Sequence, residues 1–309
     1  MRKIRVSIII PMKNEAKKVQ MLIPAILDQK LVYKDVEAEM EIIAIDSGST
    51  DGTVEILKEY SGKVSFLRFF EFSLFHHSLT RNFGARIAKG DILIFINADA
   101  IPLDDTWLIE LIWPLLQYKD VVASFSRQVP PIKPHFEVVR LLLSYPTKNI
   151  IISKRNFRRI LEDTGVLFST VSCAIWKRVF EDIGGFSKDV PINEDQELAI
   201  RLLKKGYKIA YRATSKVIHA HLGSCYEMFR RYMQFGMGWG VIKYLHKDFF
   251  EENLKIFSGN PIKTIKKLKL MATMMVMISR SLRSLIFFIA GLLAGSIGFF
   301  IGNIFQRSQ

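Results

Sequence analysis

The first hundred residues alternate between apolar, strand-like segments and amphipathic helical ones. Strands are predicted over residues 6–10, 41–45, 64–69 and 92–96, and several of these runs are apolar enough for burial on both faces. Helices are predicted between them, over residues 19–27, 54–60 and 82–89, with a kink at Pro24. This alternation predicts right-handed βαβ units in an α/β fold, a mostly parallel sheet flanked by helices.

The middle of the chain is less regular. A helix is predicted over residues 107–116, broken near Pro114, and strands over 121–127, 169–176 and 207–211. A further helix is predicted to begin at Asn193 as its N-cap, with acidic residues in its first turn. The basic segment 148–159 is interpreted as a solvated helix face, and a patch facing a membrane or an acceptor is the alternative.

Polar residues follow the most apolar of these strands. Asn97 and Asp99 come directly after the run at 92–96, where ligands bind in open α/β sheets. Their oxygen atoms suit Mg²⁺ or Mn²⁺ holding a phosphate. A simple Asx turn that ends the strand is the alternative reading of the same residues.

Composition narrows the class of protein. The chain has 309 residues, is 49% hydrophobic and carries a formal net charge of +14, which implies a well-packed core and an anionic partner. Cys173 and Cys225 are the two cysteines, too few for a disulfide scaffold, although a bridge between them stays open. Neither a dinucleotide-binding glycine fingerprint nor a P-loop occurs, and the N-terminal apolar run is too short for a signal peptide.

The C-terminal region from residue 243 onward differs in composition from the rest of the chain. Residues 243–283 carry nine Lys or Arg and three Asp or Glu, and they are interpreted as a basic amphipathic juxtamembrane region. Residues 284–305 contain no charge and predict a single C-terminal membrane helix. The basic excess before the span predicts a cell-membrane protein whose catalytic domain, residues 1–242, is cytoplasmic. Nucleic-acid binding explains the charge but not its position beside an apolar span. A buried globular helix is the alternative, and small-residue pairs at Gly291/Gly295 and Gly298/Gly302 leave self-association open.

Five short motifs, in order, carry a family resemblance. They are 7–15 (SIIIPMKNE), 46–53 (DSGSTDGT), 80–85 (TRNFGA), 97–100 (NADA) and 193–195 (NED). Together they resemble family 2 glycosyltransferases of the GT-A fold, over roughly residues 4–240, including rhamnosyltransferase-like members. The resemblance implies transfer of a sugar from a UDP-, GDP- or dTDP-sugar, with Mg²⁺ or Mn²⁺ as cofactor.

The resemblance also assigns the donor site. It implies that the nucleotide is held by residues of the first two motifs and of the NADA motif, while Arg81 holds the diphosphate or donor sugar. His76 or His77 is expected near the donor, and Arg230 and Arg231 near a pyrophosphate, with a solvated helix face as the alternative. The donor-site residues are Pro11, Asn14, Glu15, Asp46, Ser47, Arg81, Asn97 and Ala98. Asp51, Gly52 and Thr53 are interpreted as structural, Asp51 capping the next helix.

The metal and catalytic assignments follow from the last two motifs. Asp99 is expected to be the direct metal ligand, whereas Asn97 stands where the family has its first Asp and leaves that role open. The resemblance also offers His219 or His221 as a further group on the metal or phosphates, with His221 preferred, and a purely structural role for each is the alternative. Asp195 is assigned as the general base that deprotonates the acceptor hydroxyl, and Glu194 as its partner.

Three functions remain compatible with this pattern. The first is an inverting transferase that glycosylates a hydroxyl of a saccharide or polyprenyl-linked saccharide in cell-envelope glycan synthesis. The second transfers the sugar to polyprenyl phosphate, as dolichyl-phosphate-mannose synthases do, and needs no general base. The third is a non-catalytic, membrane-bound scaffold that binds a nucleotide-sugar.

Overall fold

A ten-stranded mixed sheet forms the centre of the protein. The structure is a computed structural model, and it describes residues 2–68, 76–131, 136–221 and 225–253. The strand order is β2-β3-β1-β5-β9-β7-β10-β6, with β4 beside β3 and β8 beside β10. The strands are β1 (Arg2–Met12), β2 (Val32–Tyr33), β3 (Val36–Asp46), β4 (Ser65–Arg68), β5 (Ile92–Ile96), β6 (Ile101–Pro102), β7 (Val121–Val129), β8 (Ile150–Ile152), β9 (Ser172–Trp176) and β10 (Lys208–Ile218).

Ten helices are described around this sheet. The helices are α1 (Ala16–Leu27), α2 (Thr53–Glu59), α3 (His77–Ile87), α4 (Trp107–Gln117), α5 (Phe136–Ser144), α6 (Phe157–Thr164), α7 (Lys177–Asp182), α8 (Glu194–Lys204), α9 (Cys225–Leu245) and α10 (Lys247–Asn253). Neighbouring residues of the central strands point to opposite faces. Ile8 and Ile94 therefore belong to one apolar core, and Ile9 and Phe95 to the other. Burial on both faces explains the uninterrupted apolar runs in the sequence.

The prediction of an α/β sheet flanked by helices is confirmed, but the sheet is more mixed than predicted. β1 pairs in parallel with β3 and β5, and β7 with β10, whereas β9 runs antiparallel between β5 and β7. The carboxyl ends of β1, β3, β5, β7 and β10 consequently share one edge with the amino end of β9. Motifs that are far apart in the sequence therefore lie close together at this edge of the sheet.

Several local predictions need correction. α4 continues past Pro114 to Gln117, so the predicted break does not occur there, whereas Pro24 lies inside the predicted helix α1. Pro11 lies within β1, where it pairs with Ile45. The basic segment 148–159 is not one helix, because β8 and the first residues of α6 divide it. Cys173 is a buried free thiol, so it forms no disulfide.

The C-terminal prediction falls beyond the described residues. The membrane helix predicted over 284–305 and most of the basic region 243–283 lie there. Within the part that the structure describes, no helix is both long and apolar enough to cross a bilayer.

Candidate active site

The loops after β1 and β3 form one wall of the site. Asn14 adopts a left-handed backbone with φ of 55°, and its amide oxygen accepts a hydrogen bond from the Thr50 backbone N–H at 2.9 Å. The Ser49 hydroxyl in turn accepts one from the Asn14 N–H at 2.8 Å. Buried Asp46 accepts the N–H groups of Gly48 and Ser49 at 3.0 Å, as well as the Ser49 hydroxyl. Hydrogen bonds between protein groups therefore hold the two loops together.

Asp51 has the structural position that the sequence indicates. One carboxylate oxygen accepts the Ala16 N–H at the start of α1 at 3.0 Å, and the other accepts the Thr53 N–H and hydroxyl at the start of α2. The Thr53 and Ala16 hydrogen bonds also lower the pKa of Asp51. One side chain thus accepts a backbone N–H at the start of each of two helices, although Gly52 rather than Asp51 is the N-cap residue of α2.

An open cleft beside these loops contains most of the predicted donor residues. Its volume is about 460 Å³. Its lining comprises Pro11, Met12, Lys13, Asn14, Glu15, His77, Arg81, Asn97, Ala98, Asp99 and His221. We call it the donor cleft. Asp46 and Ser47 lie outside this lining, and the Ser47 N–H donates to the Met12 carbonyl at 2.9 Å.

At the end of this cleft, Asp99, His219 and His221 form a cluster with metal-ligand spacing. One ligand atom from each lies within 4.8 Å of the others. Asp99 Oδ1 lies 3.5 Å from His219 Nε2, and Asp99 Oδ2 lies 3.8 Å from His221 Nδ1. His219 Nε2 is buried without a hydrogen-bond partner among the described residues. A carboxylate and two imidazoles of this kind fit a divalent cation.

The electrostatics suit these ligands. Burial alone would raise the pKa of Asp99, but the neighbouring His219, His221 and Lys18 hold that pKa well below its usual range. Burial, followed by the charges of His219 and Arg231, lowers the pKa of His221 to about 3 despite the opposing Asp99. Asp99 is therefore ionised and His221 neutral at neutral pH, which are the protonation states that bind metals.

Arg81 lies between the two halves of the site. Its guanidinium is buried and donates to Glu194 Oε1 at 2.9 Å and to Asn97 Oδ1 at 2.9 Å. The same nitrogen that reaches Glu194 also donates to the His77 carbonyl at 3.3 Å. The sequence assigns Arg81 to the diphosphate, whereas the structure engages it with two protein side chains. The amide oxygen of Asn97 is likewise engaged with Arg81.

Asp195 is half-buried at the start of α8. Its carboxylate accepts the Thr170 N–H at 3.2 Å and the Gln196 N–H at 2.7 Å. Burial first, and then the charge of Glu194, raise the pKa of Asp195 to about 7, although these hydrogen bonds and Arg81 oppose the rise. Asn193 is the N-cap residue of α8 as predicted, but its side chain makes no capping hydrogen bond. Its backbone is left-handed, and its side chain donates to the Phe235 carbonyl.

A second cavity lies on the side of Asp195, with a volume of about 330 Å³. We call it the acceptor cavity. Its polar lining includes Asp195, Glu194, Arg140, Ser169, His219 and Arg231, and its aromatic lining includes Tyr145, Phe168, Phe235 and Trp239. It shares His77, Arg81, Asn97 and His221 with the donor cleft. The candidate base and the candidate metal ligands therefore line two neighbouring cavities that share four residues.

A third cavity, of about 420 Å³, opens on the other side of the metal cluster. Lys18, Asp99, Arg230 and Arg231 are among its lining residues. His221 lines all three cavities. The structure therefore places both arginines of the sequence analysis beside the cluster, and Arg231 also reaches the acceptor cavity.

Sequence reasoning missed several residues of this site. Lys18 Nζ lies 3.2 Å from Glu15 Oε2 and 3.8 Å from Asp99 Oδ2. Lys18 follows Glu15 by three residues at the start of α1, and this spacing indicates in the sequence that the two side chains meet. Gln128, Tyr145 and Trp239 had no comparable signal. Their positions depend on how distant segments fold onto the sheet edge.

Sequence comparison agrees with this geometry. The family described as glycosyl transferase family 2 matches residues 7–184. An O-antigen chain rhamnosyltransferase, WbaN of Salmonella anatum, is 31% identical over 70% of this chain and 68% of its own length. A second, RfbN of Salmonella typhimurium, is 30% identical over 79% of this chain and 76% of its own length.

Solved structures share the fold at lower sequence identity. The mannosyltransferase PcManGT from Pyrobaculum calidifontis, in complex with GDP-Man and Mn²⁺, has a TM-score of 0.62 and 18% identity, covering 99% of this chain and 89% of its own. TarS of S. aureus, in complex with UDP-GlcNAc, has a TM-score of 0.55 and 14% identity, covering 98% and 92%. The fold is therefore GT-A. The match over more than half of the chain shows that this protein belongs to glycosyl transferase family 2 and is a glycosyltransferase.

Proposed function

We propose that this enzyme transfers a sugar, with inversion, from a nucleoside-diphosphate sugar to a hydroxyl of a saccharide or lipid-linked saccharide in cell-envelope glycan synthesis. One observation carries the proposal. The half-buried carboxylate of Asp195 and the Asp99–His219–His221 cluster line two neighbouring cavities, the acceptor cavity and the donor cleft, which share four residues. A base on one side and a diphosphate-binding centre on the other is the arrangement that direct displacement requires.

The residues have distinct roles in this proposal. Asp99, His219 and His221 would hold Mn²⁺ or Mg²⁺, which when bound stabilises the charge of the departing nucleoside diphosphate. Two imidazole nitrogens favour Mn²⁺, because Mg²⁺ selects oxygen ligands almost exclusively. Asp195 accepts the proton of the acceptor hydroxyl. Its raised pKa makes it a better base than an ordinary carboxylate while leaving it substantially ionised near neutral pH.

Arg81 organises this site from within. It forms an ion pair with Glu194 and holds the Asn97 oxygen, so that the Asn97 amide N–H₂ remains for the donor cleft. Diphosphate binding then falls to the bound metal and to Lys18 and Arg231, two of the basic groups that line the third cavity beside Asp99. The role of Glu194 is to raise the pKa of Asp195 through its negative charge.

Rhamnose is the donor sugar that the relatives favour. Both Salmonella proteins are described as O-antigen chain rhamnosyltransferases and align over more than two thirds of their length. The aromatic lining of the acceptor cavity supports a saccharide acceptor, because sugar rings pack their C–H faces on aromatic side chains.

A membrane location is part of the proposal. It is supported by the uncharged stretch 284–305 and by the basic residues before it, which also favour a cytoplasmic catalytic domain. Alkaline carbonate extraction of membranes from cells expressing the full chain is expected to leave the protein in the pellet. Release into the supernatant would contradict insertion.

A thermal-shift screen of nucleoside-diphosphate sugars, with and without Mn²⁺, tests the donor proposal. A ligand that binds only the folded state raises the apparent stability. We expect a dTDP-, UDP- or GDP-sugar to raise Tm only with metal, and Asp99→Ala to abolish that metal-dependent shift. No shift with any donor, or an unchanged shift in Asp99→Ala, would contradict the proposed donor site.

A further inference from the structure

Gln128 lies outside the five sequence motifs. It contacts His219, one of the three residues of the Asp99–His219–His221 cluster. It is buried at the end of β7, and its amide oxygen lies 2.9 Å from His219 Nδ1. Its amide nitrogen faces away, donating to the Ser169 hydroxyl at 3.0 Å and to the Tyr145 hydroxyl. All three groups that Gln128 contacts therefore belong to side chains lining the acceptor cavity.

The backbone holds Gln128 and His219 in register. β7 and β10 pair in parallel, with Val217 opposite Gln128 and Ile218 opposite Val129. The His219 N–H then donates to the Val129 carbonyl at 3.2 Å. The contact between the two side chains is thus built on adjacent strands rather than on mobile loops, which favours precise ligand placement.

This contact determines which ring nitrogen of His219 carries the proton. An amide oxygen only accepts hydrogen bonds, so His219 Nδ1 must be the donor. In a neutral ring, Nε2 is then a lone pair, and this is the buried atom that lacks a hydrogen-bond partner among the described residues. It faces Asp99 Oδ1 at 3.5 Å, so two electron-donating atoms point into the same space. A cation between them resolves that opposition.

We propose that Gln128 is a positioning residue that fixes His219 in the Nδ1–H tautomer and so presents Nε2 to the metal. The inference rests on the metal site of the proposed function but does not require sugar transfer. Because Gln128 also binds Tyr145 and Ser169, it connects the wall of the acceptor cavity to the metal ligand. Hydrogen bonds of this kind behind a ligating histidine set its orientation and basicity.

The test compares two buried glutamines. Gln128→Met removes the three hydrogen bonds while keeping an unbranched side chain of similar length. Gln29→Met is the matched control, because Gln29 is also buried and also makes three hydrogen bonds, to Ala25, Asp104 and Leu108, which lie outside the lining of all three cavities. Mn²⁺ affinity is measured by electron paramagnetic resonance on the full chain without donor.

We expect Gln128→Met to weaken Mn²⁺ binding by about 10- to 100-fold. Gln29→Met should lower Tm and leave Mn²⁺ affinity unchanged. Long-range ¹H–¹⁵N correlation of the histidine rings should show His219 as the Nδ1–H tautomer in the metal-free protein and a shift toward Nε2–H in Gln128→Met. An Nε2–H tautomer in the unsubstituted protein, or unchanged Mn²⁺ affinity in folded Gln128→Met, would overturn the proposal.

The outcome separates this inference from the proposed function. Loss of Mn²⁺ affinity in Gln128→Met supports the positioning role even if no donor sugar is ever transferred. Conversely, full transfer activity with an unaltered Mn²⁺ affinity in Gln128→Met leaves the glycosyltransferase proposal intact and removes this one. Tyr145→Phe adds a second check, since loss of one hydroxyl should weaken Mn²⁺ binding less than loss of the whole amide.

Discussion

Arg81 and Glu194 form a buried ion pair, with a guanidinium nitrogen 2.9 Å from the Glu194 carboxylate. The two residues are 113 positions apart in the chain, so the pair joins α3 to the start of α8. Arg81 also binds Asn97 at the end of β5. The donor side and the acceptor side of the active site are therefore held together by one guanidinium.

Removing one member of this pair should destabilise the fold strongly. Arg81→Met leaves the Glu194 charge buried and unpaired, and we expect it to lower the free energy of unfolding by about 3–5 kcal/mol. The double variant Arg81→Met with Glu194→Met should recover most of that loss, because no charge then remains buried. Urea denaturation of the single and double variants measures this coupling. Additive losses would show that the two residues do not act as a pair.

Asn97 is expected to lie outside the metal coordination sphere, because its amide oxygen is engaged by Arg81. Asn97→Asp should therefore change Mn²⁺ affinity by less than about threefold, whereas Asp99→Asn should weaken it by more than about tenfold. Isothermal titration of the two variants with Mn²⁺ distinguishes them. A large gain in affinity for Asn97→Asp would indicate that this position contacts the metal.

The pH dependence of transfer should follow the ionisation of Asp195. Its pKa is raised, first by burial and then by Glu194, to about 7. The base must be ionised, so kcat/KM should fall as the pH decreases through this value, well above the usual aspartate range.

Glu194→Gln tests the cause of that shift. It removes the neighbouring negative charge and leaves Arg81 to favour the ionised form, so the acidic limb of the profile should move to lower pH. A limb that stays in place would contradict the assignment of Asp195, whatever the loss in maximal rate.

Gly238 should be needed where α9 packs against the loop before α8. A Cβ at this position would lie 2.6 Å from the Ile192 carbonyl oxygen and 2.8 Å from Asn193 Nδ2. Gly238→Ala must therefore displace the segment leading to Glu194, at a cost of about 1–3 kcal/mol and with reduced transfer.

Phe229→Ala on the same helix provides the control for stability. Phe229 is 41% exposed, so its loss should cost far less. Thermal unfolding monitored by circular dichroism compares the two variants. Equal losses would indicate that the close approach at Gly238 is unimportant.

The sequence predicts the strands well where burial on both faces makes them uniformly apolar. The bounds of β5 agree with the prediction, and β1, β3 and β7 extend beyond theirs. The antiparallel direction of β9 could not be predicted, because an apolar run carries no information about strand direction. Pro24 and Pro114 also show that tertiary packing maintains helices through residues that local propensity disfavours.

The sequence predicts those parts of the candidate site that directly follow strands. Asp99 and Asn14 both follow strands, and the structure brings them to the same cleft. The guanidinium of Arg81 suits phosphate, so the sequence predicts a phosphate contact, but the burial of Arg81 beside Glu194 depends on a contact between residues 113 positions apart. No sequence pattern marks Gln128 as a functional residue, because its proposed role depends only on its contact with His219 Nδ1 in the folded protein.

The rate of sugar transfer by Asp195→Asn tests most directly the central claim that Asp195 is the general base. The substitution keeps the size of the side chain and removes its basicity, and exposed Asp189→Asn is the matched control. With a hydroxyl acceptor, we predict that Asp195→Asn lowers kcat by about 10²–10⁴-fold while the donor Kd measured with Mn²⁺ stays unchanged, and that Asp189→Asn transfers normally. Undiminished transfer by Asp195→Asn would contradict general-base catalysis and favour an acceptor that is already an anion, such as polyprenyl phosphate.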